Sequence, residues 1–269
     1  MQNILSKFNK EKDFFLDPFP HIILDNPIDE NDYKILSKEY EEFEKYFHKM
    51  NEYNENNIRL QFSDKDFKKL NFKTPGWEIF LNIHTSQEFF RTLVNIFYDT
   101  LIKLYPDLNE ELKKVLSDKS IYENSDEIKL LCQPGINTPV YKENTFNRGP
   151  HIDKPNTLIA GLFYLKKDND ESKGGDFIIN KKIGKISFVP KAEVKEVNNV
   201  TTSKEVKYAK NKVVFFLNSL DSIHSVSIRE KTNHCRRLVN FNLKYYGPKK
   251  TFKINYSNNF FKSMINRYF

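Results

Sequence analysis

Residues 157–165 read TLIAGLFYL and residues 211–218 read NKVVFFLN. Both are short β-branched and aromatic runs closed by polar residues, the pattern of a strand. Working outward, six more runs share it: EIKLLCQ (127–133), GDFIIN (175–180), KISFVP (185–190), KEVKYA (204–209), HSVSI (224–228) and CRRLVNFNLKYY (235–246). Eight candidate strands thus fall within about 120 residues, with polar turns rather than helices between them. That spacing predicts an antiparallel sandwich or jelly roll. The double glycine Gly174-Gly175 follows the polar stretch KKDNDESK and predicts a hairpin return with positive φ or a bulge.

Before about residue 126 the texture is helical. Residues 19–25, FPHIILD, form a short apolar run closed by Asn26-Pro27. A helix is expected to open at Asp29 or Glu30, with Tyr33, Ile35, Leu36, Tyr40 and Phe43 near helical spacing. Residues 49–75 are polar and Asn-rich and read as a loop. A second helix is expected from Thr85 or Ser86, carrying Phe89, Leu93, Phe97 and Leu101 at i, i+4, with Ser86 suited to the N-cap. A third, shorter one is expected over 108–117. The tail from 252 reads as a closing helix or strand. The expected layout is one domain, 1–269: a helical support region (1–126), a jelly-roll catalytic core (127–248) and a C-terminal extension (249–269).

The chain has 269 residues, 39% of them hydrophobic and 14% aromatic, enough to fill a sizeable core. No apolar run approaches the roughly 18 residues of a membrane helix, so no membrane partner is expected. Two cysteines, Cys132 and Cys235, make no disulfide framework, and a reducing, cytoplasmic setting is the expectation. The net charge is +7, but lysines alternate with acids, as in KEYEEFEKYFHKM, rather than forming a stripe. Nucleic acid is therefore not the expected partner.

Three features carry chemistry. In His151-Ile152-Asp153, residues two apart point to one side of an extended segment, so an imidazole and a carboxylate converge. His224, 73 residues on, can return beside them in a jelly roll. Two histidines and a carboxylate form the facial triad that holds a divalent iron with open positions. Arg236 offers a planar fork that pairs with a carboxylate. Strand alternation puts Arg236, Leu238, Asn240 and Asn242 on one face and Arg237, Val239, Phe241 and Leu243 on the other. Arg237 is thus the competitor, and the polar face favours Arg236. His21, His48, His84 and His234 read as structural or surface residues. Arg148, three residues before His151, reads as a loop cap or as a contact for an acidic substrate group.

The text HIDKPNTLIAGLFYL, GGDF (174–177), NKVVFFLNSLDSIHSV and RRLVNF resembles the 2-oxoglutarate- and Fe(II)-dependent dioxygenases, in particular the prolyl-4-hydroxylase-like group. The resemblance covers about 130–245 and implies a mainly β fold with α, a double-stranded β-helix (jelly roll) supported by N-terminal helices. It implies His151, Asp153 and His224 as iron ligands and Arg236 as partner of the distal carboxylate of 2-oxoglutarate. Arg236 stands twelve residues past His224, two or three more than is usual, which an insertion in REKTNH explains. It further implies Tyr164 and Gln133 beside the cosubstrate, Gln133 in place of a tyrosine. The implied activity is hydroxylation of an unactivated C–H bond with Fe(II), 2-oxoglutarate and O2, ascorbate serving as reductant, and with succinate and CO2 as products. A peptidyl or small-molecule substrate is implied, its mouth rimmed by residues 136–150 and 190–211. The competing classes are a cupin-like metalloprotein without 2-oxoglutarate, a nucleic-acid demethylase of the same superfamily and a non-enzymatic jelly-roll binding or structural protein.

Overall fold

In the computed structural model, TLIAGLFYL is the central strand of a seven-stranded antiparallel sheet. The structure describes residues 1–62, 67, 73–142, 145, 148–249, 251–254 and 256–257. Twelve strands are described: β1 (Phe14–Phe15), β2 (His21–Asp25), β3 (Arg59–Gln61), β4 (Ile128–Asn137), β5 (Thr157–Leu165), β6 (Phe177–Lys182), β7 (Phe188–Val189), β8 (Glu193–Val194), β9 (Val200–Val206), β10 (Lys210–Leu217), β11 (His224–Val226) and β12 (Arg236–Tyr245). The large sheet has the order β1-β2-β10-β5-β12-β4-β3, and a smaller one the order β11-β6-β9. His151 extends the smaller sheet through reciprocal backbone hydrogen bonds with His224, both 2.9 Å. Followed along the chain, β4, the His151 segment, β5, β6, β9, β10, β11 and β12 pass back and forth between two facing sheets. This is the expected jelly roll.

Both faces of the large sheet are covered, which is why β5 and β10 read as nearly continuous apolar runs. Between the sheets lie Ala160, Tyr164, Phe177, Ile179, Val206, Tyr208, Phe216 and Leu238. On the opposite face Phe163, Phe215, Val239, Phe241 and Leu243 pack against the helices. These are α1 (Lys10–Asp13), α2 (Glu30–Phe47), α3 (Pro75–His84), α4 (Gln87–Leu104), α5 (Asn109–Ser117) and α6 (Lys119–Asn124). The α2 helix opens at Glu30 and buries Tyr33, Leu36, Tyr40, Phe43 and Phe47, a stripe at helical spacing. Ile35, expected on that stripe, is exposed. Ser86 caps α4 as expected, its Oγ accepting from the Phe89 N–H at 3.2 Å.

The structure corrects the sequence reading in several places. The 1–126 region is more than helical support, because β1, β2 and β3 all join the large sheet. Residues 49–75 hold a short 3-10 turn at Asn51–Asn54, then β3, with much of the remainder outside the described residues. Helix α3 was not expected. Its signals are Pro75 in the first turn after Thr74 and buried Trp77, Phe80 and His84 at helical spacing. His84 is structural, as expected: its Nδ1 lies 2.6 Å from the Phe80 carbonyl and its Nε2 accepts from the Ile4 N–H at 3.0 Å. KISFVP reduces to a two-residue ribbon with β8. The tail's 258–269 lies outside the described residues. The double glycine has φ of 76° and 77°, as its sequence context requires. A Cβ on Gly174 would fall 1.7 Å from the Ile228 carbonyl oxygen, so the turn excludes any side chain there.

Candidate active site

His151 does not lie in a regular strand. A single bridge to His224 on one side and another to Glu193 on the other hold it in place. Ile152 turns away into a buried cluster with Phe188, Ala192, Val194, Ile223 and Ile254. That anchor aims His151 and Asp153 the opposite way. The backbone pairing with β11 brings the two imidazoles to a centroid distance of 4.2 Å. One ligand atom from each of His151, Asp153 and His224 lies within 4.8 Å of the others.

Each imidazole is oriented by a backbone carbonyl. His151 Nδ1 lies 2.7 Å from the Gly149 oxygen, and His224 Nδ1 lies 2.9 Å from the Ser222 oxygen. A carbonyl only accepts, so each Nδ1 carries its proton and each Nε2 keeps a free lone pair. Burial pushes the pKa of His151 well down, with the charges of His224 and Arg148 adding to the effect. It lowers that of His224 too, against the opposing pull of Asp153. Both imidazoles are therefore neutral at neutral pH, the form that binds a metal. Phe216, tilted at 4.6 Å, and Phe177, stacked at 5.2 Å, cover part of the His224 ring. Two neutral nitrogens and a carboxylate on one side fit a divalent ion with open positions.

Arg236 and Arg237 separate as alternation requires. Arg237 faces the helices, where its Nε and Nη2 donate to the two oxygens of Glu44 at 2.8 and 2.6 Å and its Nη1 to the Ser37 carbonyl at 2.9 Å. Arg236 faces the space between the sheets. Its Nη1 donates to Asn137 Oδ1 and its Nη2 to the Tyr164 hydroxyl, both at 3.0 Å. Among the described residues its Nε, buried, finds no partner, a donor left over in the interior. Room for this guanidinium comes from Gly175, where a Cβ would stand 2.9 Å from Arg236 Cδ. The double glycine thus shapes the site as well as the turn.

A cavity of about 130 Å³ opens beside the triad. Arg148, His151, Asp153, Phe177 and His224 line it on the side of the smaller sheet, and Arg59, Gln61, Phe216, Asn240 and Asn242 from the large sheet. Neither Arg236 nor Tyr164, both expected beside the cosubstrate, is among the residues that line it. Gln133 does not reach the cavity: its Oε1 accepts from Gln61 Nε2 at 3.2 Å and its Nε2 donates to the Phe62 carbonyl at 3.3 Å. It steadies Gln61, which accepts from Asn240 at 3.1 Å. Residues 136–150 contribute Arg148 to the lining, but 190–211 contribute nothing, because they form β8, 3-10 turns and β9. Arg59 and Gln61 had no signal in the sequence, since they sit in the polar stretch read as loop. Asn240 and Asn242 were legible from the alternation of β12.

No family model and no curated protein matches the sequence. Solved structures similar to it include a prolyl-4-hydroxylase from Pseudomonas putida, at TM-score 0.43 and 10% identity over 84% of this chain and 93% of that one. A second is a prolyl 4-hydroxylase from Phytophthora capsici, at TM-score 0.48 and 14% identity over 91% and 66%. A third is a prolyl hydroxylase from Trichoplax adhaerens in complex with a hypoxia inducible factor peptide fragment, at TM-score 0.40 and 9% identity over 84% and 83%. Identities this low leave each side chain's role to be read from its own surroundings.

Proposed function

We propose that this chain is an Fe(II)- and 2-oxoglutarate-dependent dioxygenase that hydroxylates an unactivated C–H bond. The observation that carries the reading is a convergence. Two imidazoles with carbonyl-fixed tautomers and one carboxylate share a site on one sheet, while a buried arginine with an unspent Nε faces them from the other. His151, Asp153 and His224 would hold the ion. Ferrous iron with 2-oxoglutarate and O2 supplies the oxidation, the cosubstrate leaving as succinate and CO2.

The chain's own residues do the rest. His151 and His224 present neutral nitrogens, and Asp153 offsets part of the ion's charge. Arg236, oriented by Asn137 and Tyr164, takes the distal carboxylate of 2-oxoglutarate in a dry interior, where a charge pair is stronger than in water. Phe177 and Phe216 shield part of the His224 imidazole from solvent.

The test is succinate release with Fe(II), ascorbate, 2-oxoglutarate and a library of amino acids, peptides and nucleotides. Metal-dependent succinate formation that one class of compound stimulates, and that His151→Ala abolishes, is expected. Metal-dependent turnover with no need for 2-oxoglutarate would instead make the chain a cupin-like metalloprotein.

A further inference from the structure

Arg59, exposed on β3, has no charged or hydrogen-bonding partner among the described residues. It sits on β3 opposite Asn137 of β4, which in turn stands opposite Arg236 of β12. Residues opposite one another share a face, so Arg59, Asn137 and Arg236 form one row facing the triad. Arg59 lines the cavity, and among the described residues its guanidinium makes no hydrogen bond or ion pair. The groups acting on it electrostatically include Arg236 and Arg148, both positive, with Asp153 and Tyr164 opposing them.

Arg148, across the cavity, is only partly engaged. Its Nη2 donates to the Lys191 carbonyl at 2.8 Å, while its Nη1 makes a long ion pair with Asp153 Oδ1 at 3.8 Å, beyond hydrogen-bond reach. Glu193 acts on it from outside the lining. In the loaded site, the ion and Arg236 are balanced by Asp153 and the two carboxylates of 2-oxoglutarate. Arg59 and Arg148 then stand over, with Glu193 acting on Arg148.

We infer that the substrate carries a carboxylate, held by Arg59 and Arg148 beside the triad. The inference rests on the dioxygenase reading for its site. A guanidinium fork pairs bidentately with a carboxylate, and two forks on opposite walls fix its position. Arg59 is exposed and Arg148 half-buried, so without an anionic group only solvent answers these two cations at the cavity mouth. Gln61, Asn240 and Asn242 supply neutral donors and acceptors for the remaining polar atoms. The carboxylate belongs either to a free acid or to an acidic side chain of a peptide.

The test uses Ni(II)-loaded protein with saturating 2-oxoglutarate, so that binding is read without turnover. Calorimetry compares free L-amino acids with their amides, and end-blocked tripeptides containing Asp or Glu with their Asn or Gln counterparts. An acid from one series is expected to bind at least about tenfold more tightly than its amide. The series in which it does so names the source of the carboxylate. Arg59→Gln is expected to erase that ratio while 2-oxoglutarate affinity stays within about twofold. Amides binding as tightly as acids, no acid binding in either series, or a ratio that survives Arg59→Gln would each overturn the inference. So would a fall of about tenfold in 2-oxoglutarate affinity in that variant, since Arg59 would then belong to the cosubstrate. If the wild-type protein binds no 2-oxoglutarate, the dioxygenase reading fails, and the acid-to-amide ratio with Ni(II) alone still decides the anion.

Discussion

The two faces of β12 carry the same kinds of residue to opposite ends. The face toward the helices holds Arg237, Val239, Phe241 and Leu243, all buried, and Glu44 meets its one charge at two oxygens. The face toward the smaller sheet holds Arg236, Leu238, Asn240 and Asn242: the two asparagines line the cavity, and the buried Arg236 Nε has no partner among the described residues. Adjacent arginines thus serve different purposes: one is consumed by the fold, the other is left available. A buried polar group that the fold does not satisfy marks where a ligand is expected.

The contrast can be broken at several points. Phe241 sits among Phe215, Phe89 and Phe80, with ring centroids 5.2, 5.9 and 6.4 Å away. Phe241→Ala should cost about 3–5 kcal/mol in urea unfolding. A loss below about 1 kcal/mol would mean that the helical face is not packed as described.

Next comes Glu44→Ala, which strands the Arg237 guanidinium, 1% exposed, and should cost about 3 kcal/mol. The double variant Glu44→Leu with Arg237→Met should cost less than the single one, because no buried charge is then left alone. The pair also sets a pH dependence. Burial alone would raise the Glu44 carboxyl, but the hydrogen bonds and charge of Arg237, joined by Lys167, outweigh it and hold the pKa below the ordinary 4.5. A depressed folded pKa means that the stabilisation is present above the unfolded value and is lost as pH falls through the folded one. Acid unfolding curves of the wild type and the double variant should therefore converge below about pH 4.5 and separate above it.

On the inner face the expected effects move from folding to binding. Arg236→Met should weaken 2-oxoglutarate binding by about 1.5–3 kcal/mol, the range of a hydrogen bond to a charged group, with metal binding retained. If Arg237→Met has that effect instead, the two faces have been assigned the wrong way round. The smallest effect belongs to Asn240→Ala. It removes one hydrogen bond to Gln61 beside an open cavity, where water can take its place, and should cost about 1 kcal/mol or less of stability.

Much of this was legible in the sequence because it follows from period and order. Alternation along CRRLVNFNL separated the two arginines, and the eight β runs set the core. The triad was legible because His151, Asp153 and His224 are uncommon residue types in a fixed order. Other parts depend on partners distant in the chain. Arg59 matters only because β3 pairs with β4 and so reaches Arg236's row. Helix α3 is short and was hidden behind a polar stretch, and Gln133 turned to Gln61 rather than the cavity. No local pattern encodes such contacts, because tertiary pairing decides them.

The most direct test of the account is anaerobic addition of Fe(II) and 2-oxoglutarate to the purified protein, followed by visible spectroscopy. A charge-transfer band that appears only with both, disappears in His151→Ala and needs more 2-oxoglutarate in Arg236→Met is the predicted result. A band of full intensity in His151→Ala, or none in the wild type, would contradict it.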